Sequence, residues 1–279
     1  MNDGFYYDLP FEQYAAIDAI NGSSIVHMRR SPMYYRHIKD NPQPPTPAMI
    51  LGTATHRMIL EPQRVGDMAI WGTEANQKVR NGKVWEAFKA EHADKLIVTV
   101  KECKQMVGMA VGAHKHLPIK KYADAKGKTE VSMVWTDKVS GRRFKARVDK
   151  IIPQTHTIPD LKTCRDCRSY QFGIQAYALG YYIKEAMYWH GYKTLTGHEP
   201  HCKLMAIESK APHESAVYRV TKDTILQGLE ELDVLLKTLA ECEETNTWPA
   251  AEQDETDLVM PAWATVQSDT EFELDMETA

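Results

Sequence analysis

Two carboxylates and a lysine near the middle of the chain are spaced so that they can converge on one point. Asp149 lies in an alternating segment, and Asp160-Leu161-Lys162 follows eleven residues later. Hard cations such as Mg²⁺ take oxygen ligands and keep several waters, so carboxylates on two adjacent strands suffice to bind one. Lys162 shares a strand face with Asp160, where it can orient or deprotonate a water and stabilise charge on a phosphate. An Asp and an Asp-x-Lys pair also occur together by chance, but the combination favours metal-dependent hydrolysis of a phosphodiester.

The segments around these residues predict a small mixed sheet. Residues 129–135 and 142–152 alternate between apolar and polar side chains, as half-buried strands do. Residues 157–162 predict a third strand, and residues 204–207 and 216–220 predict two more. Glu130 lies on the strand before Asp149, where it is either a third carboxylate of the site or an ordinary exposed strand residue.

The rest of the chain has helical patterning. Residues 1–125 are mostly helical in pattern, with Ser23 or Ser24 as the cap of one helix and a second helix over residues 49–60. Residues 170–189 predict one long aromatic helix, and Thr221 or Asp223 caps a last helix that reaches about residue 242. The expected class is α/β (α+β), a small mixed sheet flanked by helices. We expect one domain over residues 1–264, with a helical part (1–125) and a catalytic sheet core (126–264).

The charge is distributed unevenly along the chain. The net charge is −4, yet residues 250–279 hold nine acids and no Lys or Arg, which leaves 34 basic and 29 acidic side chains in residues 1–249. A mildly basic body is compatible with nucleic acid as a partner. The acidic residues 265–279 are poor in apolar side chains and are predicted to be disordered.

The sequence also bears on the cellular compartment. No apolar run approaches the roughly 20 residues that span a bilayer, and the first residues lack the order of a signal peptide. Five cysteines are an odd, sparse set for a disulfide framework. Cys164 and Cys167 form a Cys-x-x-Cys pair that would need two further ligands, such as His201 and Cys202, to hold zinc, so ordinary thiols are favoured. A cytoplasmic protein without membrane association is expected.

Several segments, taken together and in order, resemble the RecE (exonuclease VIII) group of phage-type exonucleases, within the PD-(D/E)XK nuclease superfamily. The segments that carry the resemblance are Ile20-Asn21-Gly22-Ser23-Ser24, Leu51-Gly52-Thr53-Ala54-Thr55-His56, Leu60-Glu61-Pro62, Arg147-Val148-Asp149-Lys150-Ile151-Ile152-Pro153, Asp160-Leu161-Lys162-Thr163 and Leu258-Val259-Met260-Pro261-Ala262-Trp263-Ala264.

The resemblance implies roles for individual residues. The metal ligands would be His56, Glu130, Asp149, Asp160 and the backbone carbonyl of Leu161. Lys162 would be the catalytic lysine, and the cation would be Mg²⁺, for which Mn²⁺ may substitute.

Related nucleases also carry a Gln-x-x-x-Tyr motif on the helix after the Asp-x-Lys strand. Gln175 is the glutamine expected to support the catalytic site, but residue 179 is leucine, so either Tyr177 or Tyr182 would accompany it.

The resemblance further implies an activity and partners. It implies a 5′→3′ exonuclease that acts on double-stranded DNA ends and leaves 3′ single-stranded overhangs for recombination by strand annealing. A RecT-like single-strand annealing protein is a possible partner. A ring is expected, as a tetramer or, second, a trimer. The alternatives are an endonuclease with the same metal site and a catalytically idle DNA-binding protein on the same fold.

Basic side chains on two segments are the expected DNA contacts. Arg29 and Arg30 lie in a helical region, and Arg143, Lys145 and Arg147 alternate along the strand that carries Asp149. Such side chains can bind phosphates without reading sequence. The other reading for each of them is an ordinary solvated basic surface.

Overall fold

The computed structural model describes residues 1–73 and 80–260. Its strands are β1 (Gly4–Tyr6), β2 (Met68–Trp71), β3 (Leu96–Thr99), β4 (Lys128–Thr136), β5 (Arg143–Ile151), β6 (Thr157–Cys164), β7 (His201–Glu208) and β8 (Ser215–Arg219). Its α-helices are α1 (Phe11–Ala15), α2 (Gly22–Ile25), α3 (Pro32–Asp40), α4 (Pro47–Leu60), α5 (Gly82–Glu91), α6 (Val100–Lys115), α7 (Leu117–Asp124), α8 (Ser169–Ala178), α9 (Tyr181–Thr196) and α10 (Lys222–Thr245).

The strands form two three-stranded sheets, β1-β4-β5 and β6-β7-β8, and a parallel pair, β2-β3. In the first sheet all neighbours are antiparallel, whereas β6 runs parallel to β7 and β8 antiparallel to it. A single bridge between Ile152 and Thr157 links β5 to β6. The five strands expected from the alternating pattern are therefore present, but the single predicted sheet is divided where β5 and β6 separate.

The β4–β5 hairpin forms the centre of the larger core. Trp135 stacks on Phe144 across the two strands, with ring centroids 5.6 Å apart. The turn is closed by Asp137, whose carboxylate accepts the backbone N–H of Ser140 at 2.7 Å. Gly141 follows at φ +67°, a conformation that glycine adopts without steric cost. The hairpin thus presents its inward side chains to α9 and α10 in one apolar cluster.

A second apolar cluster covers the other side of the structure. Helices α4 and α6 pack there against Leu161 of β6 and Met205 and Ile207 of β7. Thr46 caps α4 by accepting the N–H of Met49 at 3.3 Å, so the helix begins at Pro47, two residues before the predicted start. Helices therefore flank the sheets on both sides, as the sequence predicted.

Three local predictions need correction. Asn21, not Ser23 or Ser24, caps the helix after it by accepting the N–H of Ser24 at 2.9 Å. The short strands β1, β2 and β3 were not predicted. The predicted helix over residues 170–189 is two helices, α8 and α9, because Gly180 breaks it at φ +64°. Thr221 does cap α10, which continues to Thr245.

The C-terminal end of the described chain is extended. The resemblance of residues 258–263 to the closing segment of the family implies that they dock on the body, but Leu258 and Val259 are 89% and 83% exposed and do not pack there. The predicted disordered segment, residues 265–279, lies outside the described residues. No helix of the described part is long and apolar enough to cross a membrane.

Candidate active site

Glu130 and Asp149 are brought together by the register of the β4–β5 hairpin. The pairs Thr129–Lys150 and Val131–Val148 flank them, so that Glu130 lies directly opposite Asp149. Directly opposed side chains project from the same face of an antiparallel pair, about 5 Å apart. Glu130 itself has φ +51°, an unfavourable conformation for a residue with a side chain and one that is typical of functional sites.

Asp149 is also connected to the next sheet and to helix α4. Its Oδ2 accepts the backbone N–H of Leu161 at 2.6 Å and lies 3.3 Å from Nδ1 of His56. Burial alone would raise the pKa of Asp149, but His56, Lys162 and the Leu161 N–H lower it to about 2. Burial likewise opposes protonation of His56, yet Asp149 raises the pKa of His56 above its ordinary value. Asp149 is therefore a carboxylate, and a metal must compete with a proton for His56.

Asp160 and Lys162 form a buried ion pair on β6. Asp160 is 1% exposed, and its carboxylate contacts Lys162 and the carboxyl group of Glu185. Burial and the charge of Asp149 raise the pKa of Asp160, although Lys162 opposes this. Burial would lower the pKa of Lys162, but Asp160, Asp149 and Glu185 raise it above its ordinary value. Lys162 is thus a protonated lysine at neutral pH.

These residues fit a divalent cation. One nitrogen of His56 and one carboxylate oxygen each of Glu130 and Asp149 lie within 4.8 Å of one another. Asp160 is not one of this group of three: it lies beside the group on β6, paired with Lys162, and its role as a metal ligand stays a prediction. A set of carboxylates with one imidazole suits Mg²⁺ or Mn²⁺. The backbone of Leu161 lies beside the site through its hydrogen bond to Asp149; its carbonyl as a ligand stays a prediction.

Helix α9 brings to the site side chains that the sequence analysis did not select. Glu185 is 1% exposed, and burial followed by the charge of Asp160 raises its pKa well above the ordinary value. Lys184 and Tyr188 lie one turn apart on the same helix, and Asp160 affects the pKa of both. The spacing Lys-x-x-x-Tyr places both side chains on one face of α9, and this spacing was the signal available in the sequence.

Gln175 is placed at the edge of the site rather than inside it. Its Oε1 accepts the N–H of Arg165 at 3.3 Å, and its side-chain amide donates to the Thr163 carbonyl at 3.5 Å. Tyr181 lies close enough to Gln175 for the glutamine to affect its pKa, whereas Tyr177 and Tyr182 stack on each other. Gln175 therefore supports the loop that leaves β6.

Three of the five basic residues selected from the sequence have partners within the protein. Lys145 is 5% exposed and donates to the carbonyls of Tyr14, Ala15 and Ile17 at 2.7–3.0 Å. Arg147 donates to the carboxylate of Glu130 and to the Leu9 carbonyl. Arg29 donates to the carboxylate of Glu231 and to the Tyr177 carbonyl. These contacts stabilise the fold around the site.

Arg30 and Arg143 differ from the other three basic residues. Arg30 is exposed and stacks on Tyr34, with its guanidinium 4.1 Å from the ring centroid. Arg143 lies at the start of β5, and its Nε is buried without a hydrogen-bond partner among the described residues. Contact with DNA stays a prediction for all five.

The five cysteines are free thiols. Cys167 lies close to Glu208 and Glu214, and burial followed by Glu208 raises the pKa of its thiol to about 11. Burial followed by Cys167 raises the pKa of Cys164 to about 12. Cys202 lies at the opposite end of β7 from Glu208, so it does not complete a site with the Cys-x-x-Cys pair. The raised pKa values keep the thiols of Cys164 and Cys167 protonated, as expected of ordinary cysteines.

Comparison with known proteins identifies the family. Residues 23–257 match the family model described as a PDDEXK-like domain of unknown function (DUF3799), and the chain belongs to that family. The resemblance to PD-(D/E)XK exonucleases and the expected fold class are thereby confirmed. No curated protein matches the chain in sequence.

Solved structures give the same fold. The chain is similar to a crystal structure of a candidate exonuclease from Eubacterium rectale, with a TM-score of 0.64, 16% identity, and coverage of 92% of this chain and 96% of the other. An alkaline exonuclease from Laribacter hongkongensis (14% identity, 84% and 96% coverage, TM-score 0.35) and a phage-related exonuclease from Haemophilus somnus (10%, 82% and 96%, 0.36) are more distant. The first likeness supports the fold, and the other two are too weak to carry an argument.

Proposed function

We propose that this protein is a cytoplasmic, Mg²⁺-dependent 5′→3′ exonuclease of double-stranded DNA that leaves 3′ single-stranded overhangs for recombination by strand annealing. The observation that carries the proposal is the cluster of His56, Glu130 and Asp149, with the buried Asp160–Lys162 ion pair beside it on β6. Membership of a PD-(D/E)XK family supports a nuclease. The polarity and the preference for duplex ends rest on the resemblance in sequence.

The chemistry follows from the charges of the site. Water attacks the phosphorus, the bond to the leaving sugar oxygen breaks, and that oxygen takes up a proton. A bound Mg²⁺ would supply an activated water and neutralise charge on the phosphate. Lys162 is protonated, because three carboxyl groups raise its pKa. It therefore donates hydrogen bonds to the water or to a phosphate oxygen and does not accept the proton of the water.

The proposed partners are DNA ends, a RecT-like single-strand annealing protein and further copies of this chain in a ring. Arg30 and Arg143 are the best of the five expected phosphate contacts, because neither has an ion-pair partner in the described ranges. The mildly basic charge of residues 1–249 also supports a DNA substrate.

Digestion of linear and closed circular duplex by the purified protein tests the proposal. With Mg²⁺, linear duplex should lose nucleotides from its 5′ ends, the circle should persist, and EDTA should abolish the reaction. Asp160→Asn should be inactive, and Asp166→Asn, which changes an acid paired with Arg168 outside the site, should be active. Linearisation of the circle would indicate an endonuclease, and intact DNA in both arms would indicate an idle binding protein.

A further inference from the structure

Lys184 is a lysine of the site region whose charge has no partner. Among residues 1–73 and 80–260, neither a hydrogen bond nor an ion pair reaches its ammonium group. The ammonium lies 5.6 Å from the ring centroid of Tyr181, and that of Lys162 lies 5.3 Å from the same centroid. Both ammonium groups therefore lie near one aromatic ring, and Lys162 is the one that also has an ion-pair partner, Asp160.

The acids nearest to Lys184 do not neutralise it. Asp160 is already paired with Lys162 and is an expected metal ligand. Glu185 forms no ion pair with Lys184 among the described residues, and its carboxyl group lies against Asp160 instead. Burial and the repulsion of Lys162 lower the pKa of Lys184 to about 8. A partly buried cation without a counter-ion is costly, and an anion arriving at this point would remove the cost.

The position of Lys184 is fixed by close packing. A side chain at Gly22 would come within 3.1 Å of the Lys184 Cγ and 3.4 Å of its Cα, so helix α2 packs directly on the aliphatic part of this lysine. On the opposite side Tyr181 supports the ammonium. The helix places Lys184 one turn before Tyr188. The hydroxyl of Tyr188 is close enough to Asp160 and Asp149 for their charges to raise its pKa. The cation is therefore held at the site instead of being free to move in solvent.

We propose that Lys184 binds a backbone phosphate of the DNA strand held at the metal centre, as a second cation beside Lys162. This inference rests on the proposed function, because the phosphate belongs to the substrate. Guanidinium and ammonium groups that neutralise phosphates contribute to affinity in a salt-dependent way, with a slope of about −0.9 per contact.

The test compares Lys184→Gln with Lys193→Gln. Glutamine is uncharged and can occupy the space, and Lys193 is a control on the same helix whose ammonium is paired with Glu199 at 2.7 Å. Binding of a labelled linear duplex is measured in Ca²⁺ at salt concentrations between about 50 and 200 mM. We expect Lys184→Gln to weaken binding about ten-fold and to reduce the slope of log K against log salt by about one. In Mg²⁺, kcat/KM should fall by a similar factor, mainly through KM. Lys193→Gln should change neither quantity.

Thermal stability separates this role from a structural one. If Lys184 serves the substrate, Lys184→Gln should leave the Tm of the DNA-free protein unchanged or higher, because an unpaired charge is removed. A folded Lys184→Gln protein with wild-type affinity and salt dependence would overturn the inference. So would a lower Tm without a change in the salt slope. A wild-type protein that fails to cleave duplex with Mg²⁺ or Mn²⁺ would instead refute the proposed function, while the binding measurement in Ca²⁺ would still decide the role of Lys184.

Discussion

The carboxylate of Asp149 accepts the backbone N–H of Leu161 at 2.6 Å. A side chain of β5 therefore takes the place that a backbone carbonyl would have if β5 and β6 were paired. Past the bridge between Ile152 and Thr157 the two strands are not paired. The opening between them leaves room for the carboxylates of Asp149 and Asp160. The separation of the two sheets and the formation of the metal site are therefore one structural feature.

Removal of a carboxylate should abolish turnover without unfolding the protein. Asp149→Ala and Asp160→Ala each take an oxygen donor from the expected metal, and we expect the rate to fall by several orders of magnitude. Lys162→Ala should also inactivate the enzyme while leaving metal affinity largely intact. The measurements are single-turnover digestion of linear duplex and calorimetric titration with Mn²⁺, with circular dichroism as the control for folding. Near-normal digestion by a folded Asp160→Ala protein would refute the assignment.

The strands that carry the site were predictable because burial on one face imposes a period of two on the sequence. Glu130, Asp149 and the Asp160–Lys162 pair could all be placed on adjacent strands from this period. The strands β2 and β3 were not predicted, because each has four residues and lies between helical segments. A segment of four residues is too short to distinguish the two-residue hydrophobic period of a strand from the 3.6-residue period of a helix.

The α9 residues could not be selected because a helix break changes which side chains face the site. Gly180, at φ +64°, separates α8 from α9. Before the break Gln175 faces Thr163 and Arg165, and after it Lys184 and Tyr188 face Asp160. The sequence between residues 170 and 189 is aromatic and helical in pattern throughout. The change in which side chains face the site therefore depends on the backbone conformation of one residue, which the pattern does not reveal.

A side chain at Gly191 should destabilise the protein, whereas a methyl group at Gly173 should stabilise it. A Cβ at Gly191 would lie 2.7–2.9 Å from three ring atoms of Trp135, which is fully buried and cannot move aside. We expect Gly191→Ala to lower the free energy of unfolding by about 1–3 kcal/mol. Gly173 lies within α8 with nothing near the position of its Cβ, so Gly173→Ala should raise stability by about 0.5–1 kcal/mol. Urea unfolding of both variants measures the difference, and equal effects would show that the packing of Trp135 is not tight.

His190 should make the protein less stable as the pH falls. The indole N–H of Trp135 donates to Nδ1 of His190 at 3.0 Å, so the imidazole must be neutral at that nitrogen. Burial, with a smaller contribution from Lys193, lowers the pKa of His190 below its ordinary value of 6.5, although Asp137 opposes this. As the pH falls, the histidine of the unfolded chain is protonated at a higher pH than His190 of the folded protein. The contribution of neutral His190 to the free energy of unfolding is therefore complete above about pH 6.5 and is lost as the pH falls from that value towards the folded pKa.

The variant His190→Asn tests this dependence, because an asparagine oxygen can accept the Trp135 N–H but does not titrate. The Tm of both proteins is measured at about pH 7.5 and pH 5.5 with EDTA present. Wild type should lose more stability than the variant between these values. His27, whose pKa is also lowered, by burial first and then by Lys184, contributes in the same direction to both proteins and cancels in the comparison. An identical decrease in the two proteins would assign the pH dependence to other groups.

The last prediction is that the active protein is a ring. Residues 1–249 hold 34 basic and 29 acidic side chains, so a single body can neutralise few phosphates and should hold duplex weakly at physiological salt. A closed cyclic assembly would compensate by keeping DNA in a channel while individual contacts break, and several subunits would sum their positive fields towards it. We expect light scattering to give about four times the chain mass of 31.8 kDa, with three times as the next choice. Degradation started on labelled duplex should continue after excess unlabelled DNA is added, because a threaded strand does not exchange with the competitor. A monomer that degrades linear DNA processively in the same assay would refute the ring. It would show that the contacts of a single body retain the substrate between cleavage steps, without a closed channel.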